Sequence, residues 1–332
     1  MRIQRASRLW ALLLLPLCAI PGSPIGQPPA ASERGEEEVV GMEEVRVVGR
    51  RPGPPLWRVV NGDNTLYVFA MLSPLPRDFA WDSSALEHLL GEATLFLGQP
   101  TISAGTANPF KAMGFVRQLG RLKRLDEGSL YDLTGPELAN RVKDLAAAHG
   151  VSERKLKRLK PLFAAEYLSE QAAREVGFAE EDRLSKQLRR LVDRSDVEIV
   201  DADEPFDLDE ALEVLQAVPL EDQLACLQTT VDALADDVAG ALARAEAWMA
   251  GDASALRQMA YPDATTSCSA PVRNVAAARA AVARAEAKWI GQAEGALKAH
   301  TITVAALPVA QIMQSDGLIE RLAERGYAVH GQ

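Results

Sequence analysis

Two apolar segments of β-type composition lie near opposite ends of this chain and enclose a long stretch with helical patterns. The first, LWRVVNGDNTLYVFAML at residues 56–72, has two β-rich runs around Asn61-Gly62-Asp63-Asn64, which is strong hairpin-turn chemistry. The second, HTITVAALP at residues 300–308, is the kind of short apolar run that forms a buried strand. Because an isolated hairpin is marginally stable in water, we predict that both ends of the chain share one sheet.

Helical patterns interrupted by short strand patterns occupy the region between these segments. Residues 82–93 predict a helix and residues 94–98 a strand, which gives the order expected of a βαβ-like unit. VEIV, at residues 197–200, predicts another strand. In the C-terminal segment SDGLIERLAERGYAV, we expect Ser315 to cap a helix and YAV to form the last strand. The predicted fold class is α/β (α+β), with a mixed β-sheet built from the N- and C-terminal segments and a large helical insert.

The first 26 residues have the pattern of a secretory signal peptide. MRIQRASR carries three Arg and no acidic residue, and the 12-residue apolar run that follows is too short to span a bilayer stably. Residues 27–54 mix Pro, Gly and charge, which predicts a flexible linker before a domain at residues 55–330. We therefore expect a periplasmic or secreted protein. A lipoprotein anchored through Cys18 is the alternative, which the large Leu17 before that cysteine disfavours.

The charge of the chain excludes some classes of partner. The net charge is −10, and removal of residues 1–26 leaves 33 basic and 46 acidic side chains, a net charge of −13. Such an acidic protein disfavours nucleic acid and anionic membranes as partners. No later apolar run approaches the ~20 residues of a transmembrane helix, so we expect that the mature protein is not an integral membrane protein. The basic runs RQLGRLKRL and SERKLKRLK are interpreted as solvated helix faces, with an anion site as the alternative.

Both ends of the predicted sheet carry a family pattern. The segments LWRVVNGDNTLYVFAMLSPLP and TITVAALPVAQIMQSDGLIERLAERGYAV, with Arg273-Asn274 before the last long helix, resemble the TraB/GumN family, which includes the TIKI-type metalloproteases. Members of that family open on strands that end in TLYLLGTIH. They close on an apolar strand, a second G-x-x-H and a GLL-to-GY helix. The resemblance extends over about residues 55–330.

The resemblance implies a metal site whose ligands this chain lacks. The family's proposed chemistry uses two G-x-x-H motifs, one at each end of the chain, and a Glu after the second opening strand, which can hold a divalent metal and leave a position for water. Here the first motif aligns with AMLS ending at Ser73, the Glu falls near Gln99, and the second motif aligns with AALP ending at Pro308. Serine is a poor metal ligand, glutamine is no carboxylate, and proline has no side-chain donor. We therefore predict no catalytic residue and no cofactor at these positions.

These replacements lead to three functional hypotheses. The leading one is a catalytically degenerate family member that binds a peptide, a protein or an envelope component. The alternative is a metal-dependent hydrolase or peptidase with a rebuilt site, for which His88 and His300 are the candidate ligands of a divalent metal. The third is a structural or interaction protein that docks on its partner through residues 36–50.

Two cysteines remain once residues 1–26 are removed. Thiols in an exported chain usually pair, so we predict a structural disulfide between Cys226 and Cys268. Two buried free thiols are the alternative. The disulfide closes a loop of about 40 residues, which corresponds to roughly 3–4 kcal/mol in the chain-entropy account.

The predicted disulfide is tested by thiol alkylation of the purified mature protein in denaturant. We expect Cys226 and Cys268 to react only after reductant is added. Reductant should also lower the free energy of unfolding by roughly 3–4 kcal/mol, because the unfolded chain regains its loop entropy. The Cys226→Ala/Cys268→Ala protein is the control, since reductant should leave its stability unchanged. Alkylation of both thiols without reductant contradicts the pairing.

Overall fold

The computed structural model describes residues 53–106, 108–178, 183–259 and 270–331. The predicted signal peptide, nearly all of the predicted linker and Cys268 lie outside the described residues. The strands are β1 (Leu56–Asn61), β2 (Asn64–Met71), β3 (Leu95–Leu97), β4 (Thr101–Ala104), β5 (Glu198–Val200), β6 (Asp203–Phe206), β7 (Ile302–Pro308) and β8 (Ala328–Gly331). The helices are α1 (Ser84–Glu92), α2 (Pro109–Leu122), α3 (Leu130–Ala148), α4 (Glu153–Leu156), α5 (Pro161–Glu175), α6 (Arg183–Val192), α7 (Leu208–Gln216), α8 (Leu220–Ala250), α9 (Ala253–Gln258), α10 (Ala270–Asn274), α11 (Ala276–Ala299), α12 (Val309–Met313) and α13 (Leu318–Glu324).

The predicted hairpin is present as β1 and β2. Asn61 pairs with Asn64, which leaves Gly62 and Asp63 as a two-residue turn. Gly62 has a φ of 59°, a backbone conformation that side chains with a Cβ rarely adopt. The amides of Asn61 and Asn64 each donate a 3.0 Å hydrogen bond to the carbonyl of Leu297. The turn is therefore fixed both by its own chemistry and by the end of α11.

Six described strands form one mixed sheet that joins the two ends of the chain. Their order is β5-β3-β7-β2-β1-β8. β5, β3, β7 and β2 are parallel to one another, whereas β1 is antiparallel to both of its neighbours. The C-terminal strand β7 thus lies between two strands from the N-terminal part of the chain, which confirms the predicted fold class. β4 and β6 form a separate two-stranded parallel sheet.

The four parallel strands end at one edge of the sheet. Met71 of β2 is in register with Pro308 of β7, while Leu97 of β3 is in register with Ala305 of β7 and Val200 of β5. The segments that follow these strands therefore lie beside one another. We call this region the carboxyl edge and define it as residues 72–73, 98–99, 201–202 and 308. In open α/β sheets this edge is where ligands usually bind.

Trp248 joins the helical insert to the sheet. Its side chain is fully buried, and its Nε1 donates a 2.7 Å hydrogen bond to the carbonyl of Ala70 in β2. Three further rings surround it, with centroids 6.2 Å (Phe69), 6.4 Å (Phe79) and 6.0 Å (Trp81) from that of Trp248. We call these four residues the aromatic cluster. The aromatic cluster fills the space between α8 and the C-terminal end of β2.

The helical insert also has an apolar core of its own. Helices α3, α4, α5 and α8 contribute side chains that are fully buried or nearly so, among them Leu130, Val142, Leu156, Leu168 and Leu227. Because this core is separate from that of the sheet, the insert can be large without unpacking the sheet. No helix among the described residues is long and apolar enough to cross a membrane.

The predicted cap of the last helix is wrong. α13 begins at Leu318 with Gly317 as its N-cap, so Ser315 lies outside the helix start. A side chain at Gly317 would clash with the carbonyl oxygen of Gln311. The close approach of the α12 end, rather than a capping side chain, therefore determines where α13 starts.

The hydrogen bond of Trp248 makes a prediction about stability. Trp248→Phe leaves the buried carbonyl of Ala70 without its indole donor, at a cost of about 1–3 kcal/mol for the unsatisfied group. Trp289→Phe is the matched control, because Trp289 is equally buried and its Nε1 has no acceptor among the described residues. We expect urea unfolding to show a loss for Trp248→Phe that exceeds the control by about that amount. Equal losses would contradict this role of the hydrogen bond.

Candidate functional site

The three positions that the sequence singled out meet at the carboxyl edge. Pro308 is the last residue of β7 and is in register with Met71, two residues before Ser73. Gln99 lies two residues beyond Leu97, the last residue of β3, which is the other neighbour of β7. The sheet therefore brings these positions together from opposite ends of the chain.

The side chains at this edge do not fit a divalent metal. Ser73 is exposed, Gln99 and Pro308 are half-buried, and none of them supplies an imidazole or a carboxylate. Leu307 and Val309, on either side of Pro308, are almost completely buried apolar residues. Within the described part of the chain, no group of three or more His, Cys, Asp or Glu side chains could hold a metal ion. We therefore derive no metal-dependent step at this edge.

Two acidic side chains of β6, Asp203 and Glu204, are engaged by the small sheet and by a helix. Asp203 accepts hydrogen bonds from the hydroxyl groups of Thr101 and Ser103, which ties β6 to β4. Glu204 forms an ion pair with Arg284 of α11 at 2.6 Å. Both carboxylates are thus already engaged within the fold.

Asp207 and Asp209 are engaged by Lys111 of α2. The Lys111 Nζ lies 3.0 Å from a carboxylate oxygen of Asp207 and 3.2 Å from one of Asp209. The hydrogen bond from Lys111 is the largest cause that lowers the pKa of Asp207, followed by the backbone hydrogen bond from Asp209. That second bond also caps the start of α7. The hydrogen bonds of the Lys111 ammonium to the carboxylates of Asp207 and then Asp209 raise the pKa of Lys111.

The candidate metal histidines have other partners. His300 precedes β7, and its Nδ1 lies 2.8 Å from the hydroxyl of Thr94, which precedes β3. His300 therefore lies at the opposite end of the parallel strands from the carboxyl edge. His88 lies on α1 with an exposed side chain, and its Nε2 is 3.4 Å from Glu92.

The remaining predicted residues lie away from the carboxyl edge. Arg273 and Asn274 are the last two residues of α10, immediately before α11; Arg273 is half-buried and Asn274 is exposed. Cys226 is buried in α8 within the core of the helical insert. Cys268 is not among the described residues, so the disulfide stays a prediction.

A shallow cavity of about 300 Å³ lies beside the aromatic cluster. Its lining includes Phe79 and Trp81 from the segment after β2, Glu87 from α1, Arg190 from α6 and Arg194 from the turn after α6. We call it the aromatic cleft. Its volume is at the small end of the range for ligand sites. The sequence did not predict these residues, for which the only signal was the spacing of Arg190 and Arg194 by four positions.

The fold and the carboxyl edge define the class of protein. It is an α/β protein whose mixed sheet contains strands from both ends of the chain, with a large helical insert and a candidate site where the parallel strands end. The model of the TraB/PrgY/gumN family matches residues 55–330, and the chain belongs to this family. The expected family membership is thereby confirmed over the predicted range. No curated protein and no solved structure matches this chain.

The convergence of the strand ends predicts the result of restoring two histidines. Ser73→His with Pro308→His places imidazoles at the ends of two adjacent parallel strands, where both can bind one zinc ion. We expect competition against a zinc indicator to show affinity at least about tenfold tighter than that of the unmodified protein, equivalent to ~1.4 kcal/mol. The control is Ser73→His with Thr301→His, which places the second imidazole just before β7 at the opposite end. Equal zinc affinity of the two double variants would contradict the arrangement.

Proposed function

We propose that this protein is an exported binding protein of the TraB/PrgY/gumN family and carries out no metal-dependent hydrolysis. One observation carries the proposal: Ser73, Gln99 and Pro308 stand at converging strand ends where the family resemblance calls for metal ligands. A metalloprotease activates water through imidazole and carboxylate ligands, and these three positions supply neither. The ligand is a peptide, a protein or an envelope component.

The aromatic cleft is the proposed place of binding. The segment that follows β2 leads directly from Ser73 to Phe79 and Trp81, so the cleft adjoins the carboxyl edge along the chain. Trp81 is held by a 3.0 Å hydrogen bond from its Nε1 to Gln187, which orients the ring at the cleft. The guanidinium of Arg190 has no ion pair among the described residues and can bind a carboxylate of a peptide. Aromatic and arginine side chains of this kind dominate the energetics of peptide and protein recognition.

Export is part of the proposal. It is supported by the basic and apolar pattern of residues 1–26 and by the two cysteines beyond them, which suit an oxidising compartment. The strongly acidic composition supports a partner that is not a nucleic acid.

The absence of metal chemistry is tested by elemental analysis of the purified mature protein. The protein is dialysed against zinc, manganese and calcium and then against metal-free buffer. We expect no metal above background, because no group of three or more His, Cys, Asp or Glu side chains in the described part of the chain could hold a metal ion. About one tightly held transition metal per chain, together with peptide hydrolysis that a chelator abolishes, would overturn the proposal in favour of a rebuilt hydrolase site.

Binding in the aromatic cleft is tested with a peptide array. We expect a set of peptides to bind the unmodified protein and to lose at least about tenfold in affinity with Trp81→Ala or Arg190→Gln. Arg189→Gln is the matched control, because this neighbouring arginine is engaged by Asp193 at 2.8 Å and does not line the cleft. Binding that survives both cleft variants would place the site elsewhere.

A further inference from the structure

A second cavity lies in the helical insert, and most of its lining is basic. Its volume is about 250 Å³. It is lined by Arg124, Ser152, Arg154, Lys155, Arg158 and Leu159. We call it the basic pocket. Four cationic side chains around one small cavity are unexpected in a chain whose net charge is −10.

Backbone contacts fix the two segments that carry these exposed side chains. Arg124, just after α2, forms an isolated β-bridge with Leu159. The backbone NH of Leu125 donates a 2.9 Å hydrogen bond to the carbonyl of Arg158. Arg154 and Lys155 lie on α4, which Leu156 anchors in the core of the insert. Two segments far apart in sequence are thus fixed around the cavity, which lowers the entropy cost of binding.

The positive charge of the basic pocket is not neutralised within the described part of the chain. The guanidinium groups of Arg124, Arg154 and Arg158 form no ion pair with a described carboxylate. The Lys155 Nζ lies 3.6 Å from the ring centroid of Tyr167, a cation–π contact that positions the ammonium and keeps its charge. The acidic residues close to the lining in sequence are Glu153 at the start of α4 and Asp126 and Glu127 after Arg124; none of them is ion-paired with a lining arginine in the described part of the chain. The hydroxyl of Ser152 makes no capping hydrogen bond and can donate to a ligand.

We propose that the basic pocket binds a phosphate group, carried either by a soluble phosphorylated ligand or by an anionic phospholipid headgroup. Guanidinium groups present paired N–H donors whose spacing matches the oxygens of phosphate. A phosphate monoester carries about two negative charges in one small group, and pyrophosphate carries more. This charge density suits a cavity of about 250 Å³ that is lined by four cationic side chains. A single carboxylate brings one charge and two oxygens, and it leaves most of these donors without a partner. The proposal is independent of the carboxyl edge and of the aromatic cleft.

The first test is calorimetric titration of the mature protein with inorganic pyrophosphate, carried out at a low and at a high fixed ionic strength. We expect saturable binding of one pyrophosphate per chain that weakens as salt is raised, because salt screens exposed charges. Arg158→Gln and Arg124→Gln should each weaken binding at least about tenfold, since each removes a charged donor. Lys157→Gln is the matched control: it removes the same charge from the neighbouring exposed position, which does not line the pocket, and should change the affinity less than about twofold. Urea unfolding checks that all variants fold.

The second test distinguishes the sources of phosphate. The protein is sedimented with phosphatidylcholine vesicles that contain or lack phosphatidylglycerol. Sedimentation only with phosphatidylglycerol, lost with Arg158→Gln and displaced by pyrophosphate, assigns the pocket to a phospholipid headgroup. Pyrophosphate binding without vesicle binding assigns it to a soluble phosphorylated ligand. Failure of pyrophosphate to bind, or equal weakening by Lys157→Gln and Arg158→Gln, overturns the proposal.

Discussion

The position of β7 between β2 and β3 is the constraint on which the rest of the structure depends. This strand comes from the C-terminal end of the chain, yet it pairs in parallel with two N-terminal strands, and its five central residues are buried. Closing the long intervening segment costs entropy, but that cost rises only slowly with length. Burial of an apolar strand on both faces of the sheet offsets it. The helical insert can therefore be large and carry its own core while the sheet remains continuous.

The same pairing explains why the three positions that the family resemblance singled out lie together. Ser73, Gln99 and Pro308 meet because Met71 is in register with Pro308 and Leu97 with Ala305, whatever side chains follow. The geometry depends on backbone hydrogen bonds and on buried apolar residues, none of which requires a metal. Trp248 adds a further restraint by donating to the carbonyl of Ala70 next to this edge. The convergence of these strand ends is therefore stabilised by interactions that do not depend on which side chains occupy the three positions.

Local chemistry explains which elements the sequence predicts correctly. The hairpin is predictable because Gly62 tolerates the φ of 59° that its turn requires, and β7 because its apolar run is too short for a helix. The start of α13 is not predictable from local chemistry. It is determined by the close approach of the Gln311 carbonyl to Gly317, which depends on how α12 and α13 pack. Ser73, Gln99 and Pro308 could be predicted to lie at one edge only through the family resemblance, because their spacing in sequence follows no helical or strand period. The aromatic cleft was not predictable, because its side chains come from segments without a motif.

The basic pocket shows why net charge is an incomplete guide to partners. The bulk value of −10 governs how anions are repelled at long range, but charges in water are screened beyond about 8–10 Å. Inside that distance the field is determined by local side chains, and here Arg124 approaches Arg158 because of a β-bridge that no composition can reveal. The two basic runs look like solvated helix faces in sequence, where each is seen alone. Brought together, they form a site of the opposite sign to the protein, and a ligand of high charge density in a small volume is the one that benefits most from it.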